Sequence, residues 1–165
     1  MKTEAAPSHG SGTVLAALII RTEGLLASVP PSLPLLALRF ALAIPFFKSG
    51  LTKWDGFLTL SPGARFLFEQ EFKLHVFGSE IPYPFPLAMA AAAGIAELVL
   101  PILLILGFAT RFASLGLLLM TAIIQLTVPD GWANFHLPWA AMALALVVFG
   151  GGRIALDPLI MPRRK

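Results

Sequence analysis

The chain has 165 residues, 57% hydrophobic and only 13% charged, with a formal net charge of +3 and a mean hydropathy of +0.82. A soluble domain carries about 25% charged residues, so this chain cannot clothe a water-facing surface, and one compact membrane bundle is indicated. It has no cysteine, which excludes disulfides, iron–sulfur clusters and thiol redox chemistry within the chain; its scattered basic residues lack aromatic interleaving, so nucleic-acid binding has no support.

Residues 1–12 are polar and small and read as a disordered tail. In residues 13–29 the apolar stretch Val14–Ile20 is too short to span a bilayer and runs straight into Arg21 and Glu23. It reads as an amphipathic helix on the membrane surface rather than a cleaved signal, ended by Pro30, Pro31 and Pro34. Four spans follow: Leu33 to Leu51, Pro84 to Gly107, Thr110 to Val128, and a short one from Phe135 to Phe149 that could lengthen toward Gly152. The turn between the second and third is so short that they must be antiparallel neighbours.

The connection from Thr52 to Tyr83 is the one long loop, 32 residues rich in aromatics. Phe68, Phe72 and Val76 recur every fourth position, which predicts a short helix over Ala64 to Val76. Trp54, Phe68, Glu69, Glu71 and Phe72 make this loop the expected docking surface for a protein partner. The expected organisation is a tail and surface helix over 1–32, an antiparallel four-helix transmembrane bundle over 33–152 with its loop at 52–83, and a basic tail over 153–165. The fold class is thus all-α, with membrane lipids as neighbours and a small-residue stretch, Ala90 to Gly94, that permits close contact within the bundle or between copies.

With four spans, both termini share a side. That side carries Lys2, Arg21, Arg111, Arg153, Arg163, Arg164 and Lys165, seven in all, against Lys48, Lys53, Arg65 and Lys73, four, on the other. The excess predicts cytoplasmic termini and an outward-facing long loop.

Glu97 is the only ionisable group between Pro86 and Gly107. A carboxylate at that depth is costly unless protonated or paired. At about 1.5 Å per residue, Arg39 lies about 9 Å into its span and Glu97 about 15 Å from Gly107, so the pair Arg39–Glu97 is expected. It either locks the helices together or forms a polar site for a proton, a quinone or a small anion. A second group gathers toward the opposite end: Lys48, Gln125, His136 and Trp139, joined by Glu69, Glu71 or Tyr83 from the loop. His136 and Gln125 share a level and could hydrogen-bond a quinone carbonyl, with Trp139 as an apolar wall; the alternative is interfacial anchoring. His9, His75 and His136 have no ligand-like spacing, so no metal site is expected. No nucleophile motif or dinucleotide fingerprint is present.

Several segments together resemble the DoxX family of small four-helix bacterial membrane proteins. Arg39-Phe40 followed by Phe47-Lys48-Ser49-Gly50-Leu51-Thr52-Lys53 resembles the family's first-span pattern, and Phe68-Glu69-Gln70-Glu71-Phe72 an aromatic-acidic loop segment. Glu97-Leu98 with Leu106-Gly107-Phe108-Ala109-Thr110-Arg111 and Met120-Thr121-Ala122-Ile123-Ile124-Gln125 resemble the second-to-third span signature. His136-Leu137-Pro138-Trp139-Ala140 and the segment Gly150 to Asp157 resemble the closing elements, with Gly151 and Ala155 departing from the usual Pro and Ser. The family takes its name from a subunit of a thiosulfate:quinone oxidoreductase, and other members are associated with oxidative or thiol stress. The resemblance implies a multi-pass protein of the bacterial inner membrane, a redox-associated subunit meeting the quinone pool or an oxidoreductase partner. It would hold no covalent cofactor and would leave electron transfer to that partner. A non-catalytic anchor, or a small-solute or proton pathway, is the alternative.

Overall fold

The structure, a computed structural model, describes residues 10–160, with side chains from residue 13. The polar start of the expected tail and the basic run Pro162-Arg163-Arg164-Lys165 lie outside the described residues. The chain divides after Pro31 into two units. The first contains helix α1 (Gly10–Ala27), where the surface helix is expected. It closes at Ser28, whose hydroxyl donates to the Leu25 carbonyl.

The second unit is the bundle. Among the described residues, four helical segments are long and apolar enough to cross a membrane: α2 (Ser32–Thr52), α4 (Pro86–Leu106), α5 (Thr110–Thr127) and a fourth over Pro129–Phe149. They pack in the ring order α2, α4, α5, fourth segment, back to α2. The core is Leu42, Ala43, Phe46, Leu104, Ala113, Leu117, Ala143 and Leu146. Ile44, Ile95, Val99, Leu119 and Val148 turn outward and are exposed, the side chains a lipid phase solvates. Ser114 and Thr121, buried in α5, donate back to the carbonyls of Thr110 and Leu117, so neither needs a partner on another helix.

The fourth span differs from the sequence reading. It lengthens away from Gly152, through a 3-10 turn (Pro129–Gly131) and a π turn (Trp132–His136) that lead into α6 (Leu137–Phe149), 21 residues in all. Gly150, at φ 75°, stops α6 on the other side.

The long loop differs too. Helix α3 (Pro62–Phe66), capped by the Ser61 hydroxyl on the Ala64 N–H, continues as a π turn over Leu67–Glu71. Phe72 is extended, and a hairpin follows: β1 (Lys73–Val76) pairs antiparallel with β2 (Ser79–Pro82) around Phe77-Gly78, both at positive φ. Val76 therefore lies on a strand, not on the expected helix. A two-residue turn with both residues left-handed matches strand twist, and that pairing outcompetes the four-residue periodicity.

Arg39 corrects the most definite expectation. It is 1% exposed and does not meet Glu97. Its Nε donates to the Leu104 carbonyl at 2.7 Å and its Nη2 to Ile105 at 2.5 Å, while Nη1 donates to Gly151 and Ile154 at 3.4 and 2.5 Å. A helical side chain leans toward its own N-terminus. In antiparallel neighbours that direction carries Arg39 toward the C-terminus of α4 and away from Glu97. There it meets carbonyls of the last turn of α4, of which Leu104 also accepts the Gly107 N–H at 3.0 Å, and the negative end of the α4 dipole. One turn on, Asp157 accepts the N–H groups of Ala109 and Thr110 at 2.6 and 3.0 Å, and so caps α5 with a carboxylate. Gly107 (φ 69°) makes this corner possible, since a Cβ there would lie 2.7 Å from Arg39 Nη2. Residues 153–160 are accordingly no free tail: Leu156 and Asp157 donate to the carbonyls of Leu106 and Gly107, and a last turn, α7 (Asp157–Ile160), follows.

Arg39→Gln strands several of these carbonyls, each worth about 1–3 kcal/mol when left unpaired. Thermal unfolding in detergent should show a loss of at least about 3 kcal/mol, and Arg39→Lys, which keeps the charge but not the fork, should recover less than half of it. The exposed hairpin is pH-sensitive in a different way. The Lys73 ammonium, bonded to Glu80 at 2.8 Å, holds that carboxyl below the usual carboxylate range, and Glu80 in turn raises Lys73. A lowered carboxyl contributes above its unfolded value and loses that contribution as pH falls through its folded value. Amide protection over residues 73–82 should therefore drop on acidification below the ordinary glutamate range, and Glu80→Gln should abolish that step.

Candidate functional site

At the loop end of the bundle a cavity of about 380 Å³ opens beside Glu97. Pro45, Phe46 and Ser49 of α2 form one wall, Met89, Ala92, Ala93 and Ala96 of α4 a second, and Met120, Ile123, Ile124 and Thr127 of α5 a third. Trp139 lines it from α6, and Phe68, Phe72 and Tyr83 cover it from the loop. The space exists because the α4 wall is alanine: side chains of one carbon cannot reach across to α5.

Glu97 is 4% exposed and pairs with Lys53, not with Arg39; Nζ lies 2.5 Å from Oε2 and also donates to the Ser49 hydroxyl at 3.1 Å. Lys53 follows α2 by one residue and folds its stem back along the last turn of that helix. Glu97 leans toward the N-terminus of α4, which is the same end. Gly50 allows the two helices to meet here, for a Cβ on it would sit 3.0 Å from the Glu97 backbone. Trp54 lies flat over Gly94, where a Cβ would come within 2.8 Å of the ring, and seals the seam above Glu97.

The expected second group is divided. Gln125 and His136 do meet, with Nδ1 2.6 Å from Oε1, and the Gln125 amide donates to the Pro129 carbonyl at 3.1 Å. That network ties the corner between α5 and α6; neither residue lines the cavity. Trp139 does, packed at a tilt against Phe46 at 5.0 Å with His136 behind it at 5.6 Å. Lys48 is exposed on α2 and takes no part. Of the expected docking residues, Phe68 is buried and packs edge-on against Phe72 at 5.2 Å and against Tyr83 at 5.7 Å. Phe68, buried, and Phe72 and Trp54, half-buried, thus close the cavity and its seam, whereas Glu69 and Glu71 stay exposed. The aromatic side chains turned outward in this loop are Phe57, Phe66 and Phe77.

Sequence reading missed Lys53, Ser49 and Thr127; Tyr83, expected among the loop residues of the second group, does line the cavity. Tyr83, the one tyrosine of the chain, lies 2.6 Å from the Thr127 hydroxyl. Thr127 donates to the Ile123 carbonyl, so the Tyr83 O–H is the donor between the two. A signal for Lys53 was present: it sits four residues after Ser49 and just past the span, placed to snorkel back. Among the described residues no three or more His, Asp or Glu side chains gather as a metal site.

The donor and acceptor inventory follows. Two of the three Lys53 N–H groups go to Glu97 and Ser49, leaving one; Ser49 keeps its own O–H; Glu97 Oε1 and the Tyr83 oxygen are acceptors. The site therefore offers both donors and acceptors at one end of an aromatic, apolar chamber. Because the pair is neutral as a whole, an uncharged headgroup is accommodated without a burial penalty for net charge.

Replacing Lys53 alone strands a buried carboxylate. Lys53→Met should destabilise the bundle by about 3–5 kcal/mol, and Lys53→Met/Glu97→Leu should return it to within about 1–2 kcal/mol of the parent. A double-mutant cycle by thermal unfolding measures this; additive losses would show that the two residues do not act on each other.

The family model for DoxX matches residues 34–130, which cover α2, the loop, α4 and α5. A protein of Haemophilus influenzae, described as an uncharacterized protein, is 32% identical over 139 residues, covering 76% of this chain and 82% of that protein. No solved structure matches the chain.

Proposed function

This chain belongs to the DoxX family, and on that premise we propose that it is a redox-associated subunit of the bacterial inner membrane whose cavity holds the headgroup of a membrane quinone. The observation that carries the reading is the chamber itself. An aromatic and apolar pocket of about 380 Å³ with a few convergent polar groups suits a planar lipophilic ring. Quinone carbonyls accept only, and the remaining Lys53 N–H and the Ser49 O–H supply donors. Hydroxyls of the reduced form donate, and Glu97 and Tyr83 supply acceptors. The same pocket can therefore bind either form. When bound, the quinone supplies the two-electron chemistry; the chain's residues bind it, orient it and exclude water, and an oxidoreductase partner delivers or removes the electrons.

In this reading both termini are cytoplasmic, from the seven-to-four excess of Lys and Arg counted above, and the cavity opens on the outer half of the membrane. The exposed Phe57 and Phe77 then face outward, available to that partner. A purely anchoring role would use these residues and leave the cavity without a ligand.

The test is binding in lipid nanodiscs. The reduced forms, ubiquinol or menaquinol, should bind saturably, and Glu97→Gln and Tyr83→Phe should each weaken that binding by about tenfold or more, the worth of one hydrogen bond to a charged or well-placed group. Absence of saturable binding, or an affinity unchanged from the parent in both variants, would overturn the reading and favour the anchor.

A further inference from the structure

We infer that the cavity is entered sideways from the membrane, through a portal between the loop-end halves of α4 and α5, by an amphiphile whose apolar tail stays in that portal while its headgroup stops at Lys53 and Glu97. The headgroup's identity rests on the quinone reading; the portal does not.

The ring has four helix seams and a roof. Trp139 packs on Phe46 at 5.0 Å between the fourth segment and α2, and Gln125 bonds His136 at 2.6 Å between α5 and the fourth segment. Of the three remaining ways in, two are shut. Between α2 and α4, Gly50 lies against the Glu97 backbone, and Trp54 covers Gly94 just above, leaving no gap. Toward the loop, buried Phe68 fills the roof. The roof is fastened to the end of α5 twice, by Tyr83 on Thr127 at 2.6 Å and by His75 Nδ1 against the Leu126 carbonyl at 3.1 Å.

The seam between α4 and α5 behaves differently along its length. Near the tight turn the helices touch: a Cβ on Gly116 would lie 2.9 Å from Leu100. Toward the loop they part, and the cavity lies between them. Its lips are outward-facing residues, Met89 at 37% and Ile123 at 49% exposure, with Ala92 between them. On helices that cross a membrane, such outward residues meet lipid chains, not water. A straight apolar path thus runs from hydrocarbon past Ala92 and Ile123 to the ion pair.

A tail lying in the portal adds contact that a bare ring lacks, so affinity should depend on the tail. In nanodiscs holding the full chain, Ala92→Phe, which fills the lip, should weaken binding of a polyprenyl-tailed ubiquinone at least tenfold. A tail-less dimethoxy-methyl-benzoquinone should change less than twofold. Equal changes for both ligands, or none, would overturn the portal. A second measurement needs no quinone. In Trp54→Phe/Trp132→Phe, the remaining Trp139 should be quenched by phosphatidylcholine with brominated acyl chains, little by aqueous acrylamide, and less by the bromolipid once Ala92→Phe is added. Quenching by acrylamide alone would overturn the portal even if quinone binds. Portal-dependent bromolipid quenching without quinone binding would uphold the portal and remove only the quinone reading.

Discussion

A charge inside hydrocarbon must be matched within reach of its own side chain, because no water is there to match it. Two charges in this bundle meet that requirement in different currencies. Arg39 spends its guanidinium on backbone, satisfying carbonyls of α4 and of the segment after α6. Glu97 is matched by a single ammonium that folds back from just beyond α2. The antiparallel order of α2 and α4 sends the two away from each other, and the bundle acquires a pinned end and an open one.

The pinned end is close to a closed circuit of dipoles. The C-terminus of α4 faces Arg39, and the N-terminus of α5 faces the carboxylate of Asp157, each charge placed at the helix pole that favours it. The segment after α6 is threaded between them by its own backbone hydrogen bonds. This corner holds α4 and α5 tightly together, and the alanine wall farther along lets the same helices part. Closure at one end and space at the other follow from one pair of helices with different side-chain volume along its length.

The open end gathers its polar groups from pieces distant in the chain: Ser49 and Lys53 at the end of α2, Glu97 in the middle of α4, Tyr83 at the end of the hairpin and Thr127 at the end of α5. Together they give an aromatic chamber a few polar groups on its walls and roof, which is what a neutral, lipophilic, hydrogen-bonding ring requires. The aromatic loop serves this chamber as its roof, so its most buried residues cannot also serve a partner; only Phe57, Phe66 and Phe77 remain outward for that.

The sequence by itself determined the membrane class, the four spans and the short turn that makes α4 and α5 neighbours, because hydrophobic run length and charge scarcity are local properties that lipid reads directly. It also marked Arg39 and Glu97 as buried charges needing partners, and Trp139 as a wall. Tertiary structure alone decided which partners those were. Linear depth along two helices placed Arg39 and Glu97 within reach of each other, but the lean of side chains toward each helix's N-terminus points them apart. Backbone carbonyls, which no sequence motif advertises, are the better match for Arg39. In the same way the periodicity of Phe68, Phe72 and Val76 could not show that Val76 would find a strand partner across Phe77-Gly78, nor could spacing show that Lys53 and Tyr83 would close over a cavity. Those are contacts between segments tens of residues apart, and only the packed chain brings them together.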